Sequence, residues 1–358
     1  MTVHELKLAT LTGAVLALTV ASVGDATAQD RVRWNMQSAF GSQLSHLGTG
    51  GVRLTENMER VSAGTFQIKF FEPGALVPAL ECFDAASRGS VESCWTTAGY
   101  HTGKIPALAF FTAVPFGPQY GEFFAWKKFG GGDELKNEIY SEHSLYSLDC
   151  NSIGPETSGW FRQPVESLES LRGLKMRFFG LGAQVMQKLG VSTQLLAGAD
   201  IYPALERGVI DATEFSMPAM DIDLGFHQVA KNNYFPGWHQ QVSVNELLMH
   251  KPAWEGLSDQ HQAMLELACG EQIHYDYAET EANNPVAMNK MVEESGVEVH
   301  RWADDQLAAF EEAWQAVIEE QSDTDPVFKK VADSYQAFRE TYKTWGDAQF
   351  LRSTYVED

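Results

Sequence analysis

The chain has 358 residues, with 26 Lys and Arg against 48 Asp and Glu, a formal net charge of −22. An acid excess of that size leaves no basic face for nucleic acid or an anionic membrane. The length supports two lobes of ordinary domain size with buried cores.

Residues 1–28 read as a secretory signal peptide: a short n-region with His4 and Lys7, an apolar run over 8–23, and Ala26-Thr27-Ala28 as an A-x-A cleavage site before Gln29. Gly13, Ser22 and the threonines dilute that run below a good spanning helix, and no later segment has the unbroken apolar length to cross a bilayer. The mature protein is expected to be soluble and exported.

Residues 29–150 are expected to form a first α/β lobe, to which later segments return. A strand at 32–36 precedes a helix at 48–62 ended by Gly64. Alternation in Phe66-Gln67-Ile68-Lys69-Phe70 marks a second strand, followed by a helix at 76–88 closed by Gly89 and a short strand at 91–95. Residues 151–250 repeat the idea as a second lobe. A strand region reaches Trp160-Phe161 and a helical turn covers 165–168. Strands at 174–179 and 192–196 flank a helix at 183–189, and a helix at 202–207, stopped by Gly208, leads into 209–214. The joints Ser87-Arg88-Gly89-Ser90-Val91-Glu92 and Glu206-Arg207-Gly208-Val209-Ile210-Asp211 match in register, so the lobes echo each other across a cleft where ligands collect near strand ends. Residues 251–358 are mostly helical, with a strand at 297–300. A final stripe of Phe328, Val331, Tyr335, Phe338 and Tyr342 either packs on the lobes or forms a partner-chain surface for a homodimer.

The cysteines are Cys82, Cys94, Cys150 and Cys269. An exported protein permits disulfides. Buried free thiols are the plainer reading, and a Cys82–Cys94 bridge is the alternative; no C-x-x-C metal spacing occurs.

Arg177 sits in the apolar stretch Leu174-Lys175-Met176-Arg177-Phe178-Phe179 and needs a partner there. It forms an internal salt bridge or grips a ligand carboxylate with two parallel hydrogen bonds. Glu214 leaves a neighbouring strand end, and an acid beside that arginine repels a bound carboxylate unless a cation lies between them. Glu156, in Gly154-Pro155-Glu156-Thr157, supplies a second carboxylate, and Gln240 or Gln241 an amide oxygen. Such an oxygen set suits Na⁺, Ca²⁺ or Mg²⁺. Tyr100, Phe178, Phe215 and Trp238 are candidates for the pocket walls. Metalloprotease, nucleophile-elbow and phosphate-loop motifs are lacking, and in Gly180-Leu181-Gly182 the third glycine of a dinucleotide fingerprint is replaced by Val185. His227, His239 and His250 are scattered and read as structural groups.

Taken in order, Phe71-Glu72-Pro73-Gly74-Ala75-Leu76, Ala113-Val114-Pro115-Phe116-Gly117, Leu171-Arg172-Gly173-Leu174-Lys175-Met176-Arg177 and Ile201-Tyr202-Pro203-Ala204-Leu205 through Asp211-Ala212 make most of the mature chain resemble the DctP-like solute-binding subunits of tripartite ATP-independent periplasmic (TRAP) transporters. Pro236-Gly237-Trp238-His239 further resembles the branch that binds 2-oxo or 2-hydroxy monocarboxylates with a metal ion. The resemblance implies an α/β, two-lobed periplasmic-binding-protein fold with crossing strands and long C-terminal helices, which pair two copies in some relatives. It implies that Arg177 grips the ligand carboxylate. It also implies that Glu214, the Phe215 carbonyl, Glu156 and Gln240 hold a cation, Na⁺ or Ca²⁺, and that the TRAP membrane permease is the partner. Position 156 departs from the expected Gln and position 240 from the acid often found there, so the carboxylate has changed sides. Two other function classes stay open: an exported metal-dependent enzyme using Glu156 or Glu214 as base, and a ligand-sensing partner of a membrane receptor.

Overall fold

In the computed structural model, which describes residues 31–349, two mixed sheets are threaded by one chain that passes repeatedly between them. The expected signal peptide lies outside the described residues. From the N-terminal side come β1 (Val32–Ser38), α1 (Leu47–Val61), β2 (Phe66–Phe71), α2 (Cys82–Ser87) and β3 (Ser93–Thr96), then two 3₁₀ segments at Ala98–His101 and Pro106–Phe111. They are followed by α3 (Tyr120–Phe129), α4 (Gly132–Ser141), β4 (Leu145–Ile153) and β5 (Gly159–Phe161). The middle holds β6 (Lys175–Arg177), α5 (Gly180–Lys188), β7 (Ser192–Gln194), α6 (Gly198–Glu206) and β8 (Ala212–Thr213). Two short helices, α7 (Pro218–Asp221) and α8 (Phe226–Val229), lead to β9 (Asn232–Phe235) and β10 (Ser243–His250). The chain ends in α9 (Lys251–Glu255), α10 (Asp259–Ser295), β11 (Glu298–Arg301), α11 (Asp304–Thr324) and α12 (Pro326–Gln349).

The first sheet has the order β2-β1-β3-β10-β4, and the second β11-β9-β5-β8-β6-β7. Three connections cross between them. Residues 154–158 join β4 to β5, residues 236–242 join β9 to β10, and α10 carries the chain back from the first sheet toward β11. Strand β10 thus belongs to the first sheet, antiparallel to β3 and β4, although its sequence falls in the range expected for the second lobe. Nothing local in residues 243–250 encodes that choice; it follows from the crossing.

Several expectations are revised. The helix expected at 76–88 shrinks to α2, because Pro78 has no N–H to give and the Gln37 side chain accepts from the Leu76 and Val77 N–H groups at 2.8 and 3.3 Å. Helices α3 and α4 and strand β9 lie in stretches that carried no reading. The helical region after Ser258 begins with α10, a single 37-residue helix whose N-terminus is capped by Ser258 Oγ accepting from the His261 N–H at 3.2 Å. The stripe on α12 packs inward: Phe328, Val331 and Tyr335 are buried, with Phe328 and Tyr335 ring centroids 5.0 and 5.4 Å from Phe110.

All four cysteines are bridged, Cys82 to Cys94 and Cys150 to Cys269, so the free-thiol reading is replaced. The second pair was not readable locally, since 119 residues separate its members; it pins β4 to α10 with the Cα atoms 4.1 Å apart. Chain-entropy arithmetic assigns about 5 kcal/mol to a closed loop of that length and about 3 kcal/mol to the shorter one. Replacing Cys150 and Cys269 together by Ala is therefore expected to lower Tm more than replacing Cys82 and Cys94 together. Equal losses in thermal denaturation contradict that ranking.

Candidate functional site

Strands β6 and β8 run parallel, with Arg177 opposite Thr213. Glu214 leaves β8 one residue later, and its N–H donates to the Arg177 carbonyl at 3.0 Å. Both side chains are buried, at 1% and 0% exposure. Arg177 Nη1 donates to Glu214 Oε2 at 3.0 Å and to the Glu214 carbonyl at 2.5 Å, while Nε donates to the Leu196 carbonyl at 3.3 Å. The Phe179 N–H also donates to Glu214 Oε2, at 3.0 Å. The guanidinium lies 5.2 Å from the Phe215 ring centroid, a cation–π contact. With Nε and Nη1 committed to protein acceptors, the two-armed grip expected from sequence is not on offer here; Nη2 is the remaining donor pair.

The crossing segments deliver the other groups. Glu156 lies in the first crossover and His239 and Gln240 in the second, and the Glu156 N–H donates to the Gln240 carbonyl at 3.2 Å. Gly237 makes this approach possible, since a Cβ there would stand 2.1 Å from the Glu156 carbonyl oxygen. His239 Nε2 lies 3.3 Å from Glu156 Oε2 and 3.6 Å from Glu214 Oε1. Glu156, Glu214 and His239 are all buried, and each offers a potential ligand atom within 4.8 Å of the others. Glu214 Oε1 and Gln240 Nε2 have no hydrogen-bond partner, which leaves buried polar capacity aimed at this spot. Glu214, with one oxygen left unpaired, and the buried Glu156 nearby are a donor set that fits a cation.

The electrostatics carry the same message. Burial, with the nearby Glu214 charge, pushes the Glu156 carboxyl up to about 7. Burial alone would raise Glu214 too, but the Arg177 charge and His239 outweigh it and hold it below its ordinary value. Burial alone would lower His239, yet its hydrogen bonds to Glu156 and Glu214 prevail and raise it to about 9. Without a metal the cluster therefore relies on protons to offset two buried carboxylates.

Tyr100, Glu156, Arg177, Phe215 and Gln240 line one small cavity of about 30 Å³, together with Phe40, Leu47, Ile153 and Phe179. Tyr100 comes from the first lobe, and burial raises its phenol to about 12. Its ring meets Phe179 edge-on at 5.6 Å, an approach that depends on Gly99, where a Cβ would come within 2.0 Å of the Phe179 ring. Elsewhere between the lobes, the Ser45 N–H and Oγ both donate to Asp223 Oδ2, at 3.2 and 2.6 Å. Wider hollows of 660 and 820 Å³ lie beside α11 and α12, and neither is lined by Arg177, Glu156 or Glu214.

Phe178 and Trp238, expected as walls, do not line the cavity. Alternation of the extended backbone that continues past β6 turns Phe178 away from the face of Arg177 and Phe179. It packs 5.9 Å from Trp238 and 5.1 Å from His239, while Trp238 continues into Phe116 and Phe310. These rings back the site instead of touching its contents. Gln240, not Gln241, faces the cavity, because Gln241 Nε2 donates to the Gly237 carbonyl at 2.8 Å. His239 was missed as a site residue: the Pro236-Gly237-Trp238-His239 motif contains it, yet it read as a structural group.

Linkage sets a pH test. Glu156 holds its proton more tightly folded than unfolded, so it stabilises in acid and that contribution is lost as pH rises from about 4.5 through about 7. His239, also raised, contributes fully below about 6.5 and loses that contribution as pH climbs through about 9. In cation-stripped protein the Tm of wild type minus that of Glu156→Gln should decrease steadily from about pH 5 to pH 8. A difference independent of pH contradicts a buried, proton-holding Glu156.

Comparison with known proteins gives the family. Residues 38–325 match the DctP family model, described as bacterial extracellular solute-binding protein, family 7. The chain is 33% identical over 339 residues to the monocarboxylate 2-oxoacid-binding periplasmic protein of Nostoc sp. (strain PCC 7120), covering 94% of this chain and 93% of that one. A TRAP transporter solute-binding protein from Bordetella bronchiseptica RB50, a mixed-occupancy dimer with calcium and picolinate in one site, superposes with a TM-score of 0.87 at 33% identity, over 90% of this chain and 95% of its own. One from Pseudoalteromonas atlantica T6c, with bound sodium and pyruvate, gives 0.86 at 27% identity, over 89% and 97%.

Proposed function

We propose that this chain, which belongs to the DctP family of bacterial extracellular solute-binding proteins, captures a small 2-oxo or 2-hydroxy monocarboxylate through Arg177 and a bound cation. The family and its relatives are extracytoplasmic solute receptors, not enzymes, so the enzymatic alternative falls away. No helix among the described residues is long and apolar enough to cross a membrane.

One observation carries the reading: the buried Arg177 guanidinium and Glu156 carboxylate line a single small cavity at the crossing of the two lobes, with the buried Glu214 carboxylate bonded to that arginine. Arg177 offers Nη2 to the ligand carboxylate while Nη1 stays on Glu214. Glu214, Glu156, the Gln240 amide oxygen and the Phe215 carbonyl hold the cation, Na⁺ or Ca²⁺ as in the relatives, which offsets the acids that would otherwise repel an anionic ligand. The 2-oxo or 2-hydroxy oxygen gives the ligand a second oxygen donor beside its carboxylate, a match to the preference of hard cations. A cavity of about 30 Å³ walled by Tyr100, Phe179 and Phe215 favours a short tail, as in pyruvate or lactate. Because both crossovers contribute site residues, a ligand that draws them together closes the lobes, and the closed form is what a TRAP membrane permease would accept.

Arg177 is the residue to test. Arg177→Lys keeps a positive charge beside Glu214 but loses the planar donor geometry, and calorimetry with pyruvate should show at least a roughly tenfold weaker Kd. Arg177→Ala should abolish measurable binding and destabilise the fold by about 3–5 kcal/mol, since Glu214 becomes a buried charge without its partner. Affinity within about twofold of wild type in the folded Lys variant overturns the role given to Arg177.

A further inference from the structure

One amide in the cavity wall has its orientation dictated from behind. Asn245, on β10, lines the cavity, and the antiparallel pairing of β10 with β4 sets it opposite Asn151. Asn245 Nδ2 donates to Asn151 Oδ1 at 2.8 Å. Asn151 is buried and held in turn: its Nδ2 donates to the His46 carbonyl at 3.0 Å and to Asp276 Oδ2 at 2.7 Å. Asp276, on α10, pairs with Arg53 of α1. A backbone carbonyl can only accept, so the His46 contact decides which end of the Asn151 amide is nitrogen. Asn151 therefore turns its oxygen to Asn245, and only the nitrogen end of Asn245 can meet it. Turning the Asn245 amide over would set two buried oxygens face to face with no proton between them. Its Oδ1 takes no hydrogen bond from any described residue and is the end left for the contents of the cavity.

The other polar groups of the wall do not discriminate in this way. Thr97 and Ser243 present hydroxyls, whose protons rotate to give or to receive. Gln240 lacks such an anchor: its Nε2 has no hydrogen-bond partner, so either end of its amide can turn inward and its oxygen is free for the cation. Arg177 only donates. The acceptors Glu156, Glu214 and the Phe215 carbonyl are taken up by the cation in the proposed reading. Asn245 Oδ1 is thus a fixed acceptor in a cavity of about 30 Å³, where the second oxygen of a short acid is its near neighbour. A 2-hydroxy oxygen can lend a lone pair to the cation and its proton to that acceptor. A 2-oxo oxygen carries lone pairs alone, so it meets Asn245 as a second acceptor and leaves both without a proton.

We infer that Asn245, its amide locked by Asn151 and the His46 carbonyl, is a specificity-determining residue of this receptor and selects 2-hydroxy over 2-oxo monocarboxylates. The inference rests on the proposed reading of the cavity as a cation-dependent carboxylate site, and it narrows the class of acid. Pyruvate still binds, more weakly than the better enantiomer of lactate.

The test is calorimetry of full-length, Ca²⁺-loaded protein with pyruvate and with each enantiomer of lactate. The better lactate enantiomer should bind at least about tenfold tighter than pyruvate. Asn245→Leu keeps the size of the side chain and removes the acceptor, and the lactate-to-pyruvate affinity ratio should fall at least about tenfold. That ratio, unlike either affinity alone, is not moved by a general loosening of the site. Asn151→Ala leaves the cavity wall intact but frees the Asn245 amide to turn, and should lower the same ratio by about threefold or more. The wild-type ranking needs no variant and decides even where one fails to fold. Pyruvate binding as tightly as both lactate enantiomers, or a ratio unchanged within about threefold in folded Asn245→Leu, overturns the role of Asn245. Binding of both acids without preference defeats this inference and leaves the receptor reading standing. No binding of either acid with any cation defeats that reading and the inference with it.

Discussion

The buried pairing of Arg177 with Glu214 is the constraint on which the site depends. Neither charge is solvated, so each is tolerable only because the other lies 3.0 Å away and because backbone groups satisfy what remains. Their positions follow from the parallel pairing of β6 and β8, which puts one at a strand's last residue and the other just past its neighbour's end. A pair that only balanced itself would be a structural salt bridge. The second buried carboxylate, Glu156, prevents that: it leaves the cluster short of positive charge, and the shortfall is where a proton, a metal ion or both must enter.

Architecture turns this local imbalance into a device for capture. Glu156 lies in one connection between the sheets and His239 and Gln240 lie in another, so the groups that need a counter-charge belong to the segments that join the two sheets. Arg177 and Phe215 come from the second lobe and Tyr100 from the first, with the cavity between. A group held in that cavity therefore touches residues of both lobes. The Cys150–Cys269 bridge ties β4 of the first sheet to α10.

The sequence was most legible where function is local. Arg177 and Glu214 stand in short strand-helix units whose alternation, glycine stops and apolar runs are readable in a window of a few residues, and the ordered family motifs made the two-lobed fold an expectation that the relatives bear out. Legibility failed where position depends on crossing. Strand β10 joins a sheet begun more than 200 residues earlier (Val32 to Ser243), and no pattern within it says so. His239 looked solitary because its partner Glu156 is 83 residues away. Phe178 was misplaced for a simpler reason: the two-residue period of the extended backbone continuing past β6 gives the cavity to Arg177 and Phe179, and the residue between them must face the other way. Cys150 and Cys269 were legible only as an even count.

The most direct test is calorimetry of pyruvate with wild-type protein, first stripped of metal and then restored with a cation. The account predicts one-to-one binding in the restored protein and little or none in the stripped protein, with affinity returning on re-addition of the ion. Equal affinity in both preparations would show that the buried acids need no cation to admit an anion, and would contradict the central claim.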